Sequence, residues 1–202
     1  DFAVAAGTNV TLTTQACEKI YASIGGTAKV STRINIAAGG RAAWLPQETI
    51  LFDGAALSRR LDVEMEDNAE ALIVEPVAFG RLAMGEKRIT GVFSDRWRIR
   101  RGGRLAHAEN FRIGPQISRI SEHSAVLGGA ACFATALLIS PRAETLLDDV
   151  RDIIGLEGGA SFWNGKLLAR LYDEDAYALR KRLVPLVQLL NQGAALPKCW
   201  SL

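Results

Sequence analysis

The stretch W-L-P-Q-E-T-I-L-F at residues 44–52 decides how the rest of the chain is interpreted. Pro46 has no backbone donor, so Leu45 and Pro46 are predicted to be extended, at a strand edge or a turn. Gln47 and Glu48 form a polar step before the apolar end of the stretch. Because a buried lone carboxylate is costly, Glu48 is expected either to be solvated or to be held by partners inside the protein. From the residues alone, the pattern favours an edge strand that enters a turn.

The sequence on both sides of this stretch predicts β-strands joined by glycine turns. Residues 29–37 and 55–66 alternate between apolar and polar side chains, which is typical of strands with one covered face. Residues 69–79 are apolar on both phases and are therefore expected to be covered on both faces. Residues 88–100 and 104–113 are predicted to form a hairpin through Gly102 and Gly103. The first 113 residues are predicted to be all-β, in stacked or sandwiched sheets.

The last third of the chain changes character. Residues 132–140 predict a buried strand, and a helix is predicted at 141–154, where Ser140 caps a proline at the first helical position. Two short strands are predicted at about 159–163 and 166–172, and a second helix is capped within 173–175 and contains Pro185. The predicted fold is mainly β with two C-terminal α-helices, α+β overall. Its β-rich body spans 1–131 and its α+β part spans 132–202, together one continuous domain.

Composition excludes several classes of protein. Hydrophobic residues make up 49% and charged residues 23% of the 202 residues, as in an ordinary globular protein, and a net charge of +2 gives no case for nucleic-acid binding. No apolar run approaches the roughly 20 residues that a membrane helix needs. Three widely separated cysteines argue against a disulfide scaffold and favour a reducing compartment, the cytoplasm. With only two histidines, His107 and His123, the chain cannot supply a clustered nitrogen and sulfur metal site.

Two carboxylates are candidates for chemistry. Glu75 ends an apolar run, and Glu109 lies in a strand of mixed polarity, so each is expected to be hydrogen-bonded, ion-paired, hydrated or metal-bound. Pairing with arginines, Arg81 being a choice close to Glu75 in sequence, is one alternative. Another is a small hydrolase or lyase that uses Glu75 and Glu109 as an acid-base pair, although no serine or histidine nucleophile context is present. Cys17 is either a buried inert thiol or a reactive one whose pKa Lys19 lowers.

Several motifs resemble those of the UreD family of urease accessory proteins, called UreH in some organisms. They occur in the family's order along nearly the whole chain: T-T-Q-A at 13–16 with Lys19 and Tyr21, W-L-P-Q-E-T-I-L-F at 44–52, Glu75 with G-R at 80–81 and G-E at 85–86, E-N-F at 109–111, G-A-S at 159–161 and L-P-K-C-W at 196–200. Family members usually carry a further N-terminal segment with a glycine-rich stretch. We expect that segment to be absent from this chain, which begins just after its place.

The resemblance implies a non-enzymatic chaperone that helps to deliver nickel into apo-urease. It implies docking on urease with UreF and the GTPase UreG, as a dimer of heterocomplexes in the cytoplasm. No tightly bound cofactor is implied, only nickel in transit and GTP through UreG. The implied fold is helically wound, and we expect its stacked sheets to be rich in antiparallel pairs. The family is also associated with an internal, water-filled passage, and Glu18, Glu75, Glu109 and, beside them, Glu48 match polar groups that would line it.

Overall fold

A computed structural model describes residues 1–81, 84–86 and 88–200. Within them the chain forms thirteen β-strands and three α-helices. In chain order these are β1 (Phe2–Val4), β2 (Asn9–Leu12), β3 (Glu18–Ile20), β4 (Ala28–Ile36), β5 (Arg41–Trp44), β6 (Thr49–Leu51), β7 (Ala55–Met65), β8 (Glu70–Phe79), β9 (Gly91–Arg101), β10 (Arg104–Ile113), α1 (Ile117–Ser121), β11 (Cys132–Ile139), α2 (Leu147–Ile154), β12 (Gly158–Trp163), β13 (Lys166–Asp173) and α3 (Ala176–Leu190). The predicted fold class, mainly β with two helices near the C-terminus, is confirmed.

The chain winds helically between two sheets. One sheet has five strands in the order β1-β4-β7-β9-β10, and the other has eight, with the main path β12-β13-β11-β8-β5-β2 and with β6 joining β8 to β3. Because each turn of the winding returns to the same sheet in the same direction, β1, β4, β7 and β9 pair in parallel, and so do β2, β5 and β8. The expected richness in antiparallel pairs is therefore wrong for the wound part.

Antiparallel pairing does occur where the winding ends. The predicted hairpin is present between β9 and β10, with Arg104 opposite Arg101. Gly102 and Gly103 adopt φ values of 53° and 72°, as a tight two-residue turn requires. β8, β11, β13 and β12 also pair antiparallel, so β11 extends the sheet of the wound strands. The division of the chain at residue 131 stays a prediction, and residues 201–202 of its second part lie outside the described residues.

Residues 44–52 lie in the interior of the eight-stranded sheet. β5 pairs with β2 and β8, and β6 pairs with β3 and β8, so the expectation of an edge strand is wrong. The ladder breaks between Trp44, opposite Ile73, and Thr49, opposite Val77. Pro76 lies opposite this break and has no backbone donor, which explains why the ladder is interrupted at this point.

The C-terminal helices cover the outer face of the eight-stranded sheet. α3 is confirmed, with the Asp175 carboxylate accepting a hydrogen bond from the backbone N–H of Ala178 at 2.8 Å. The helix predicted at 141–154 is shorter, because α2 begins only at Leu147. Before it, backbone N–H groups bond to the carbonyl three residues back, as from Ala143 to Ser140, which is turn geometry. α1 was not predicted.

Three apolar cores follow from this arrangement. The helix-side core lies between α2, α3 and the eight-stranded sheet and includes Leu72, Leu138, Val150, Leu183 and Trp200. Two further cores lie between the sheets. We call them the first inter-sheet core, which includes Ile34, Leu61, Val63, Ile73 and Trp97, and the second inter-sheet core, which includes Leu51, Leu57, Val77, Phe93 and Ile117.

Candidate functional site

A layer of polar side chains separates the two inter-sheet cores. We call it the polar layer, and its members are Glu18, Thr49, Arg59, Glu75 and Asp95. Successive side chains of a strand point to opposite faces, so Arg59 points inward with Leu57 and Leu61 from β7. Asp95 is the partner of Arg59 on β9, and Glu75 faces them from β8. The layer is therefore built by the register of both sheets.

Arg59 is at the centre of the polar layer and is buried. Its Nε donates to Asp95 Oδ1 at 3.2 Å, its Nη2 donates to Asp95 Oδ2 at 2.7 Å, and its Nη1 donates to Thr49 Oγ1 at 2.9 Å. Nη2 also forms an ion pair with Glu75. Burial alone would lower the pKa of the guanidinium, but Glu75 and Asp95 more than offset this and its pKa is raised. Arg59 is thus held as a cation.

Glu75 is 3% exposed and shares this single arginine with Asp95. Its Oε1 accepts a hydrogen bond from the indole Nε1 of Trp44 at 2.8 Å. Burial raises the pKa of the Glu75 carboxyl to about 7, and the charge of Asp95 adds to the effect, while Arg59 and the Trp44 hydrogen bond oppose it. The carboxyl therefore changes its charge near neutral pH.

Replacing Glu75 by glutamine is expected to change the pH dependence of stability. The pKa of Glu75 is about 7 in the folded chain against 4.5 for an unperturbed glutamate, so the native state holds the extra proton between these values. The contribution of this carboxyl to the free energy of unfolding is fully present below about pH 4.5 and is lost as the pH rises through about 7. The free energy of unfolding of Glu75→Gln, taken relative to that of the wild type, is therefore expected to rise by up to about 3 kcal/mol as the pH rises from about 5 to about 8.

Urea denaturation of the wild type and of Glu75→Gln, each at about pH 5 and at about pH 8, measures this effect. Glu66→Gln, which removes an exposed carboxylate, controls for the loss of one charge from the protein. An unfolding free-energy difference between Glu75→Gln and wild type that stays constant with pH contradicts the assignment.

Two cavities reach the polar layer from opposite sides. The first has a volume of about 500 Å³, and its lining includes Glu75, Asp95, Glu109, Thr135 and Arg170. The second has a volume of about 270 Å³, and its lining includes Thr14, Glu18, Gln47, Arg59 and Glu75. Glu75 lines both cavities, so the ion pair between Arg59 and Glu75 lies between them.

Each cavity has a second glutamate. Glu109 lies on β10 in the first cavity and forms an ion pair with Arg170 of β13. Glu18 lies on β3 in the second cavity, where its Oε2 accepts from Thr49 Oγ1 at 3.5 Å. The structure therefore places Glu75 at both cavities, Glu109 at the first and Glu18 at the second.

Glu48 lies outside the lining of both cavities. Its Oε1 accepts from Arg180 Nη1 of α3 at 2.7 Å, and its Oε2 accepts from the Cys17 thiol at 3.3 Å. Glu48 is not part of the lining of either cavity, whereas its neighbour Gln47 lines the second. Arg180 Nη1 also donates to Gln47 Oε1 at 3.3 Å, so both side chains of the pair reach the same guanidinium.

Cys17 has the character of an inert thiol. Burial and the hydrogen bond to Glu48 raise its pKa above the ordinary value of 9.0. A raised pKa keeps the thiol protonated and lowers its nucleophilicity. The alternative of a thiol activated by Lys19 is therefore wrong.

No group of three or more histidine, cysteine, aspartate or glutamate side chains that could hold a metal ion occurs among the described residues. In the same part of the chain, no helix combines the length and apolar character needed to cross a membrane.

Comparison with known proteins decides the family. A family model described as "UreD urease accessory protein" matches residues 1–201. The chain belongs to the UreD family. Among curated relatives, the urease accessory protein UreD of Mesorhizobium japonicum is 55% identical over 206 aligned positions, which cover all of this chain and 74% of the relative. UreD 1 of Brucella abortus is 53% identical with the same coverage, and UreD of Rhizobium leguminosarum is 53% identical over 98% of this chain and 72% of the relative.

Membership of the UreD family confirms the expectation of a non-catalytic protein, because these relatives are named as accessory proteins. The geometry gives no separate support for a hydrolase or lyase. Glu75 and Glu109 both line the first cavity, but each is already paired with an arginine, Arg59 and Arg170 respectively.

Sequence reasoning missed Arg59 and Asp95 in this UreD-family chain, and it chose the wrong partner for Glu75. Arg81 pairs with Glu86 instead. A signal for Arg59 was present, because it shares the inward phase of the alternating segment 55–66 with Leu57 and Leu61. Nothing in the sequence indicates that β7 and β8 lie in facing sheets, and that arrangement brings Arg59 to Glu75.

Proposed function

We propose that this protein supports urease maturation by conducting nickel through the space between its two sheets. The observation that carries the proposal is that Glu75, a buried carboxylate, lines both the cavity containing Glu109 and the cavity containing Glu18. Three carboxylates spaced along one path offer a divalent cation successive stopping places. The membership of the UreD family and the relatives' name, urease accessory protein, support urease as the destination.

The chemistry of the path suits transit. Ni²⁺ binds imidazole and thiolate ligands tightly, so a passage lined by histidine and cysteine would hold it. Carboxylate oxygens in small number bind it weakly and release it. Neither cavity has a histidine or cysteine in its lining as far as the described residues go. Nickel is the cargo here and not a resident cofactor.

The partners we propose are those that the family resemblance implies. They are UreF, the GTPase UreG and apo-urease, in a dimer of heterocomplexes in the cytoplasm, with GTP bound only by UreG. Co-purification of the tagged chain with UreF, UreG and apo-urease tests this assembly. Failure to retain both UreF and urease counts against it.

Replacing Glu75 and Glu109 together by glutamine is expected to lower urease activation roughly tenfold, a typical loss when a group that tunes a metal path is removed. Both substitutions keep side-chain volume, so assembly with the partners is expected to be unchanged. The measurement is urease activity after activation in a purified system supplied with Ni²⁺.

The matched control is Glu66→Gln with Glu144→Gln, which removes the same charge from two exposed positions. The control is expected to activate urease as the wild type does. Full activation by the double variant at Glu75 and Glu109 counts against conduction through these residues.

A further inference from the structure

The arrangement around Arg59 bears on how a cation passes the polar layer, an inference that rests on the proposed function. Arg59, Glu75 and Asp95 together carry two negative charges and one positive charge when ionised. The three side chains are between 3% and 6% exposed, so this excess negative charge is buried. A buried uncompensated charge is unfavourable, and a divalent cation would neutralise the two carboxylates where one arginine does not.

Arg59 nevertheless occupies the place that such a cation would take. All three of its nitrogens are engaged, with Asp95, Thr49 and Glu75. A cation that enters from either cavity reaches Glu75 but meets the guanidinium beside it, and like charges at this range repel strongly in a poorly solvated site. While Arg59 stays in this position, the two cavities are separate for a cation.

The second cavity offers Arg59 another acceptor. Nη1 of Arg59 already donates to Thr49 Oγ1 at 2.9 Å, and Thr49 Oγ1 lies 3.5 Å from Glu18 Oε2. Arg59 and Glu18 both line this cavity of about 270 Å³, so the guanidinium has space on that side.

A second observation concerns a polar side chain in the lining of this cavity. Gln47, 6% exposed, lines it, and among the described residues its Nε2 has no hydrogen-bond partner. A buried amide donor without a partner needs water or an anionic group beside it.

We infer that Arg59 is the gate of the passage. It swings from Glu75 and Asp95 past Thr49 to Glu18, and a divalent cation takes its place between Glu75 and Asp95. With Arg59 in place, the two carboxylates and the guanidinium carry a net charge of minus one. With a divalent cation in its place, the net charge is zero. The return of Arg59 expels the cation. Arg59 thereby limits how long nickel stays.

Removing the charge of Arg59 tests the gate. Arg59→Gln leaves Glu75 and Asp95 without their cation, and we expect it to bind about one Ni²⁺ at least about tenfold more tightly than the wild type, since one nearby charge of like sign has been removed. Equilibrium dialysis of the full chain in its accessory complex, with Ni²⁺ alone and without urease, measures this. Arg60→Gln is the matched control, because Arg60 is the next residue and points outward to Asp62.

A rescue variant separates gating from a structural role. Arg59→Gln is expected to slow urease activation by retaining nickel. Adding Asp95→Asn removes one of the two carboxylates, and we expect it to lower nickel affinity again and to restore activation in part. Removing an uncompensated carboxylate also recovers stability if Arg59 is merely structural, so nickel affinity is the deciding measurement. A merely structural role predicts that neither substitution changes nickel affinity.

The outcomes separate this inference from the proposed function. Nickel affinity of Arg59→Gln equal to that of the wild type, with activation still dependent on Glu75 and Glu109, overturns the gate and leaves conduction standing. Activation independent of all these residues overturns both. If Arg59→Gln does not fold, Arg59→Lys keeps the charge without the bidentate contact to Asp95. Increased nickel retention by Arg59→Lys then supports the gate, and unchanged retention overturns it.

Discussion

Replacing Arg180 by alanine is expected to lower the free energy of unfolding by about 3–5 kcal/mol, the usual result of leaving a buried charge without its partner. Arg180 lies on α3 and donates through Nη1 to Glu48 Oε1 at 2.7 Å and through Nη2 to the carbonyl of Cys199 at 2.7 Å. Its guanidinium also lies 5.1 Å from the centre of the Trp200 ring. Glu48 is 7% exposed, and Arg180 is its ion-pair partner in the part of the chain that the structure describes.

Denaturant titration followed by circular dichroism measures this loss. Lys181→Ala, at the adjacent position on the outer side of α3, is the matched control and is expected to change stability by less than about 0.5 kcal/mol. Replacing Glu48 by glutamine in the Arg180→Ala background is expected to recover part of the loss, because the uncompensated carboxylate is then gone. A loss below about 1 kcal/mol for Arg180→Ala would mean that Glu48 finds another partner or becomes hydrated.

Replacing Trp200 by alanine is expected to destabilise the protein by about 3–5 kcal/mol, the range for deleting a large buried aromatic side chain. Trp200 is fully buried in the helix-side core, and its indole Nε1 donates to the carbonyl of Leu45 at 2.9 Å. That carbonyl lies in the break between β5 and β6 and also accepts from Thr13 Oγ1 at 2.7 Å, so Trp200 and Thr13 share a backbone acceptor in the interrupted part of the ladder.

One further variant separates the apolar contribution of Trp200 from that of its hydrogen bond, and another serves as a control. Trp200→Phe keeps most of the apolar volume and removes the indole donor, so it is expected to cost about 1–2 kcal/mol. Trp163→Ala removes an indole that is 37% exposed and is expected to cost less than about 1 kcal/mol. Thermal unfolding of the three variants ranks them, and equal effects of Trp200→Ala and Trp163→Ala would contradict the assigned role.

The elements of the wound body were predictable from local pattern. Alternation placed strands at 29–37 and 55–66, close to β4 and β7, and the glycine pair at 102–103 marked the hairpin. These features depend on contacts within a few residues of the chain, so a local pattern is enough. The helix at 141–154 began later than predicted because Ser140 and Pro141 are equally suited to start a turn.

The pairing of strands was not predictable in the same way. Parallel pairing of β4, β7 and β9 follows from the winding of the chain between the sheets, and a strand's own sequence says little about the direction of its neighbour. The place of residues 44–52 depends on the same winding. Their residues predicted an edge strand that enters a turn, and only the tertiary structure puts β5 and β6 inside the sheet, with the break opposite Pro76.

The sequence by itself determined the fold class, the family resemblance and the candidacy of Glu18, Glu75 and Glu109. The tertiary structure alone decided that these carboxylates line two cavities that share Glu75, that Glu48 pairs with Arg180, and that Arg59 and Asp95 complete the polar layer. The physical reason is the distance along the chain over which each kind of interaction acts. Hydrophobic periodicity acts between near neighbours and fixes which face a side chain takes, whereas ion pairs such as Arg59 with Glu75 join strands whose meeting depends on the packing of the two sheets.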